Sequence, residues 1–289
     1  MKVPFDPQCT RFPYPESTDH HYLIVKKDNG LAIDKNYPYV DKSKGFRFRR
    51  ALFRIALDLI AMPFARIRLG LKVEGKENLR KNKALLKKGV VSLCNHVHMW
   101  DYIGLSAAIW PFRPSVLSWA PDIRGENGFF IRYSGGIPIP EDGDMRATIA
   151  YVKQVRDYLN EGGWLQIYAE GSMWEYYAPI RPLKRGVSYF AIKTGKPVLP
   201  MAYSYRKPSK LRQKLFHTPA LLTLHIGEPL FVDESLPEAE REEDLTKRCH
   251  EAMCRLAGIE DNIYPPLFDD SKRIDYYATE YGEGYTGSW

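Results

Sequence analysis

The sequence predicts an α/β fold: a mixed, mostly parallel sheet flanked by helices, with irregular N- and C-terminal extensions. Three observations point there. Short apolar runs alternate with helical periodicities through the middle of the chain, the pattern of strands joined by crossover helices. Hydrophobic residues make up 44% of the 289, enough for a sizeable core in one domain. Gly162-Gly163 and Gly195 stand where two of the helical patterns end, the usual place for a glycine cap.

Taken in order, residues 1–45 read as an irregular arm broken by Pro4, Pro7, Pro13, Pro15 and Pro38, with one extended run at Tyr22-Leu23-Ile24-Val25. Residues 46–70 read as a basic amphipathic helix. Phe48, Leu52, Ile55, Leu59 and Ile60 recur at helical spacing, Arg47, Arg50 and Arg54 lie mostly elsewhere on the wheel, and Pro63 should kink or end it. This segment is either an interfacial anchor with arginines on lipid phosphates or a helix covering the core. Residues 71–260 hold the alternating domain. Its strands are expected at Val90–Cys94, Trp164–Tyr168, from Val198, and at Leu221–Ile226. Its helices are expected from Trp100 or Asp101 to Ile109, and at Met145–Leu159, Val187–Lys193 and Glu238–Leu256. Residues 261–289 form a tail rich in Tyr, Asp and Gly.

The net charge of +7 suits an anionic membrane or a polyanion. No nucleic-acid motif accompanies it, so nucleic acid is not expected as a partner. Cys9, Cys94, Cys249 and Cys254 match no metal or redox spacing and imply no disulfide framework. Met1–Thr10 has no apolar core of a signal peptide, and no run of apolar residues is long enough to span a bilayer. The expected location is therefore cytoplasmic, on the inner face of the cell membrane.

The chemistry concentrates at Asn95-His96-Val97-His98-Met99-Trp100-Asp101, directly after an apolar strand. A carboxylate near a helix start can reach back to an imidazole at the strand end, accept a hydrogen bond from one ring nitrogen and fix the tautomer. The other nitrogen is then free to take a proton from a hydroxyl. Three later segments belong with it: Gly135-Gly136-Ile137-Pro138-Ile139-Pro140 after Arg132, Tyr168-Ala169-Glu170-Gly171-Ser172 at a strand end, and Val198-Leu199-Pro200. Strand ends gathered at one edge of a parallel sheet form a site, here expected around His96, Gly136, Glu170 and Pro200.

In this order the segments resemble the four blocks of the PlsC-like glycerolipid acyltransferase superfamily. Asn95, His96 and Asp101 match its NHxxxxD block in full. Tyr168–Ser172 looks like the first five positions of FPEGTRS, and Val198–Pro200 like its V-x-P strand. The resemblance covers roughly residues 70–230. It implies His96 as general base and Asp101 as its orienting partner. Asn95, Arg132, Gly136, Glu170, Gly171 and Ser172 would lie at the substrate. The acceptor hydroxyl would attack the thioester of acyl-carrier protein or coenzyme A directly. No metal and no bound cofactor would be needed; the thioester is a co-substrate.

The sequence departs from the family at two arginines that hold an acceptor phosphate. Pro140 or Glu141 stands at the first place and Met173 at the second, leaving Arg181, Lys184 and Arg185 as substitutes. Two other functions stay open on the residues alone. His96, His98 and Asp101 are candidate ligands of a metal-dependent hydrolase, and the domain can instead be a non-catalytic membrane-binding relative of the enzymes.

Overall fold

The structure, a computed structural model, describes residues 5–7, 14, 15, 17, 28–141 and 143–269. The extended run expected at Tyr22–Val25, Cys9 and most of the tail lie outside the described residues. From residue 44 the chain forms one long helix made of α1 (Lys44–Ala56), a π-helical turn (Leu57–Ala61) and α2 (Met62–Leu69). Then come β1 (Lys72–Glu74), α3 (Lys76–Lys81), α4 (Lys83–Leu86), β2 (Val90–Leu93) and α5 (Asp101–Ala108). Next are β3 (Ser115–Trp119), α6 (Ala120–Arg124), α7 (Gly128–Ser134), β4 (Gly136–Ile139) and α8 (Met145–Asn160). The last elements are β5 (Trp164–Ile167), α9 (Gly186–Thr194), β6 (Val198–Arg206), α10 (Lys210–Phe216), β7 (Leu221–Ile226) and α11 (Glu238–Ala257).

The seven strands make one sheet in the order β1-β7-β6-β2-β5-β3-β4, parallel except for the β6–β7 pair. β2 and β5 are buried along their whole length, which is why they read as continuous apolar runs rather than alternations. Successive residues still point to opposite faces. Val91, Leu93, Leu165 and Ile167 enter one core with Tyr151, Val155, Phe190, Leu245 and Met253. Val90, Cys94, Trp164 and Leu199 enter the other with Leu69, Leu105 and Ile109. The N-terminal arm joins the first core through Ile33, Tyr37 and Tyr39. Gln154 of α8 fixes it there, its side chain accepting from Val40 N–H at 3.1 Å and donating to the Tyr37 carbonyl at 3.2 Å.

Two features of the long helix bear on those expectations. It runs through Pro63 to Leu69, with an irregular turn just before the proline. A proline lacks the N–H of an α-helical bond and its ring collides with the carbonyl four residues back. The π turn just before it widens the helix, with Met62 N–H bonded to the Leu57 carbonyl, so the strain is absorbed over one turn. The second feature is orientation. Phe48, Leu52, Ile55, Leu59, Ile60, Phe64 and Ile67 are all exposed, Leu59 by 72% and Ile60 by 70%. Leu57, Ala65 and Leu69 are buried in their place.

The arginines correct the expectation that they point to phosphates. Arg50 turns inward and donates to Ser115 Oγ at 3.1 Å, and burial holds the Arg54 guanidinium down to about 10. Of the three arginines named from the wheel, Arg47 alone is exposed. The apolar stripe is therefore not a core face. Leu57→Ala should lower the stability of the domain by about 2–5 kcal/mol, as for other buried leucines. Ile60→Ala, three residues on, should change it by no more than about 0.5 kcal/mol. Chemical denaturation of the two variants checks this; a large loss in Ile60→Ala would return the stripe to the core.

Candidate active site

β2 ends at Leu93, and Asn95 keeps the sheet together where the chain leaves it. Its side-chain amide pairs with β6 as a peptide group would: Nδ2 donates to the Tyr203 carbonyl at 3.1 Å and Oδ1 accepts from Tyr203 N–H at 2.7 Å. The next residue, His96, is thereby held at the carboxyl edge of the sheet with its side chain 26% exposed.

Asp101, the first residue of α5, is completely buried. Its Oδ2 lies 2.8 Å from His96 Nδ1 and accepts Val97 N–H at 2.8 Å and His98 N–H at 3.2 Å. Its Oδ1 accepts the Tyr168 hydroxyl at 2.8 Å. A carboxylate so surrounded has only acceptor capacity, so His96 Nδ1 carries the proton and Nε2 is left as a base. The Tyr168 ring also stacks on the imidazole, 4.0 Å between centroids. One tyrosine thus touches both members of the pair. It stands where the family block has phenylalanine, and that exchange was the signal in the sequence that it does more than pack.

Glu170 binds the same loop from the other side. Its carboxylate accepts His96 N–H at 3.2 Å, Arg181 N–H at 2.8 Å and the Arg181 guanidinium at 3.1 Å. The chain after Glu170 then pairs with the His96 loop, Trp174 N–H to the His96 carbonyl at 3.0 Å and Tyr176 N–H to the Val97 carbonyl at 2.8 Å. Gly171 makes the turn between them at φ +86°, a conformation that favours glycine, and the end of the Lys184 side chain lies beside it.

Several expected substrate residues take other roles. Asn95 spends its amide on β6. Arg181 is buried, with Nη1 donating to Ser172 Oγ at 2.7 Å and its guanidinium lying 4.4 Å over the Trp174 ring. It braces the loop and cannot clamp a phosphate, and Ser172 is buried as its partner. Arg132 donates to the Pro38 carbonyl at 2.8 Å and packs against Tyr37 and Phe46, tying down the N-terminal arm away from the site.

Strand register corrects one more position and places another. Leu199, Ser92, Gln166, Val116 and Gly136 form one row across the sheet, so Gly136 sits at the start of β4, well below His96. It is packed against Ile131, whose Cγ2 lies 2.6 Å from where a Cβ would stand. Pro200 pairs with Leu93, the last residue of β2, while β6 itself continues to Arg206. Of the basic trio, Arg185 lies 3.6 Å from Glu242, and Lys184 is the one packed beside the Gly171 turn.

His98 is buried. Its Nδ1 accepts Trp100 N–H at 3.0 Å, and its Nε2 lies 3.6 Å from Glu175, beyond hydrogen-bond length. With His96 Nδ1 also taken, the two rings do not converge on an ion. Among the described residues no group of three or more His, Cys, Asp or Glu side chains is placed to hold a metal. The Cys94 thiol is buried and pushed well above its usual pKa by that burial, so it packs rather than reacts. The sequence reading also missed Asp122, on the first turn of α6. Burial pushes its carboxyl up to about 6, against a lowering influence from the nearby His96.

Comparison with known proteins bears on the segment just described. Residues 70–204 match the model of the family described as Acyltransferase. A search of curated proteins found no match. Among solved structures, the chain is similar to the 1-acyl-sn-glycerophosphate acyltransferase PlsC of Thermotoga maritima, at 19% identity and a TM-score of 0.48. That alignment covers 76% of this chain and 83% of that one. The family match thus takes in the strands and loops that carry His96, Asp101 and Glu170.

Two outcomes follow from this geometry. Arg181→Ala leaves Glu170 buried without its cation, which should cost about 3–5 kcal/mol of stability; a folded variant with unchanged stability and a raised acceptor KM would make Arg181 a substrate clamp after all. Burial also lowers His98 from 6.5 to about 4. Between those values the unfolded chain binds a proton that the folded chain refuses, so this residue's contribution is full above pH 6.5 and is lost as pH falls towards 4. Asp122 is shifted the opposite way, so the measurement is a comparison. The stability advantage of wild type over His98→Asn should shrink on acidification, by at most about 1.4 kcal/mol per pH unit.

Proposed function

We propose that the protein is an O-acyltransferase that moves a fatty acyl group from an acyl-carrier-protein or coenzyme A thioester to a hydroxyl of a lysophospholipid-type or related lipid acceptor at a membrane surface. The observation that carries this reading is the 2.8 Å contact of His96 Nδ1 with the buried Asp101 carboxylate, on a segment that matches the acyltransferase family model. Nε2 removes the proton from the acceptor hydroxyl as its oxygen attacks the thioester carbonyl carbon. The tetrahedral intermediate collapses, the C–S bond breaks, and the proton passes from Nε2 to the departing sulfur. The products are an ester and a free thiol. Asp101 holds the tautomer and stabilises the transient imidazolium, and the Tyr168 hydroxyl and ring keep the pair in register.

Gly171 and Lys184 border the acceptor side in this reading. Lys184 replaces the buried Arg181 as the cation beside the block's turn. The membrane part rests on the exposed apolar side of the long helix, with Trp110 and Phe129 exposed as well. Phe64 of that helix packs against Trp100, 5.4 Å between ring centroids, one residue before Asp101, so the lipid-facing surface adjoins the site. No helix among the described residues is long and apolar enough to cross a membrane. The proposed location is therefore peripheral, on the cytoplasmic face.

The test is thiol release from acyl-coenzyme A and acyl-carrier protein, with a panel of lysophospholipids and phosphate-free lipid alcohols, and mass spectrometry of the lipid product. His96→Ala should lower kcat/KM by about 10²–10⁴-fold, the usual range for a general base. Tyr168→Phe should lower it by less, because the ring still stacks on the imidazole while Asp101 loses one hydrogen-bond donor. Acylated lipid formed at the wild-type rate by His96→Ala would sink the reading.

A further inference from the structure

The β6–β7 connection carries a second amphipathic helix that the long helix holds in place. α10, Lys210-Leu211-Arg212-Gln213-Lys214-Leu215-Phe216, is capped by Ser209 Oγ, which accepts Arg212 N–H at 3.3 Å. None of its residues is buried. Leu211 and Leu215, one turn apart and so on one face, are 76% and 67% exposed. A short helix with no buried face gains nothing from the core, so something else must account for two bare leucines.

Its attachment is specific. Arg212 reaches the Ile67 carbonyl in the last turn of α2 and lies over the Phe216 ring at 5.1 Å. Arg206 reaches the Gly70 carbonyl, and Arg68 reaches Thr218 Oγ1. The three arginines fasten the 206–218 segment to the point where the exposed apolar stripe of the long helix ends, at Phe64 and Ile67. Around the leucines stand Lys207, Lys210 and Lys214, all exposed, and residues 207–217 contain no acid.

We propose that α10 is a second membrane contact, its leucine pair entering the lipid interface beside the long helix and its lysines meeting anionic headgroups. The inference rests on the membrane-surface reading above. An anionic bilayer fits the chemistry because apolar burial and cation attraction act together there. A second copy of this chain fits it badly, since α10 against α10 would bring like charges together over only two leucines each. Two separated contacts also fix orientation. One helix leaves the domain free to roll about its axis, whereas a second patch off that axis sets which side of the sheet faces the lipid.

The experiment is co-sedimentation of the full chain with vesicles of phosphatidylcholine alone and of phosphatidylcholine mixed with phosphatidylglycerol. Wild type is compared with Leu211→Ser/Leu215→Ser, Lys210→Glu/Lys214→Glu and Leu59→Ser/Ile60→Ser. All these residues are exposed, so thermal midpoints should be unchanged, and midpoints are measured first. The proposal expects the α10 leucine variant to bind anionic vesicles about tenfold more weakly, and the charge-reversed variant to lose its preference for anionic over neutral lipid. Wild-type binding by both α10 variants, with loss in the Leu59/Ile60 variant, overturns the second contact and leaves the first standing. No vesicle binding by wild type overturns both. A wild-type dimer dispersed by the leucine variant in sedimentation equilibrium, or vesicle-free binding of acyl-carrier protein that the α10 variants lose, overturns it in favour of a protein partner.

Discussion

The buried carboxylate of Asp101 is the constraint on which the site depends. It takes hydrogen bonds from His96, from the N–H groups of Val97 and His98, and from Tyr168. Two of those donors are backbone groups of the loop that carries His96, so the same charge that orients the imidazole also shapes the turn presenting it. A charge with no access to water persists only if its lone pairs are filled. Every donor is supplied by β2–α5 or by the end of β5, which makes the parallel pairing of these two strands a condition for the chemistry and not merely its scaffold.

The second buried charge pair, Glu170 with Arg181, acts on the backbone rather than on the reacting groups. It links the loop after β5 to His96 N–H and to the chain before α9. The start of the tail reinforces that chain: Asn262 bonds the Ile180 backbone on both sides, and Leu183 exchanges hydrogen bonds with Pro266 and Phe268. This accounts for residues 262–268, whose composition alone suggested no role. Desolvation makes such a pair weak as a source of net stability but strict in geometry, because either partner left alone is costly.

The long helix inverts the usual arrangement. Its large apolar side chains face outward, while Arg50 and Arg54 fold onto Ser115 and the buried side of the domain. Those arginines therefore hold the helix to the protein and leave its greasy side bare. In the proposed membrane-surface reading, lipid replaces water on that outer face. The helix then places Phe64 against Trp100, close to the loop that carries His96.

The sequence by itself determined the class of fold, the helix and strand positions near the site, and the His96–Asp101 pair. Each of these is written in local terms: apolar runs for buried strands, 3.6-residue periodicity for helices, and a five-residue spacing that a strand–turn–helix can close. Helix orientation was not written there, because a wheel has two faces and the sequence does not say which meets the core. Nor was the fate of the polar residues. Arg181 and Arg132 look like anion binders until the tertiary structure surrounds one with Glu170, Ser172 and Trp174 and the other with the N-terminal arm. Gly136 lies near the site in motif order, but strand register sets it at the start of β4. Tyr168 gained its role only when β5 came to lie beside β2. Partners far apart in the chain decide what a charged or aromatic side chain does, and only the packed structure brings them together.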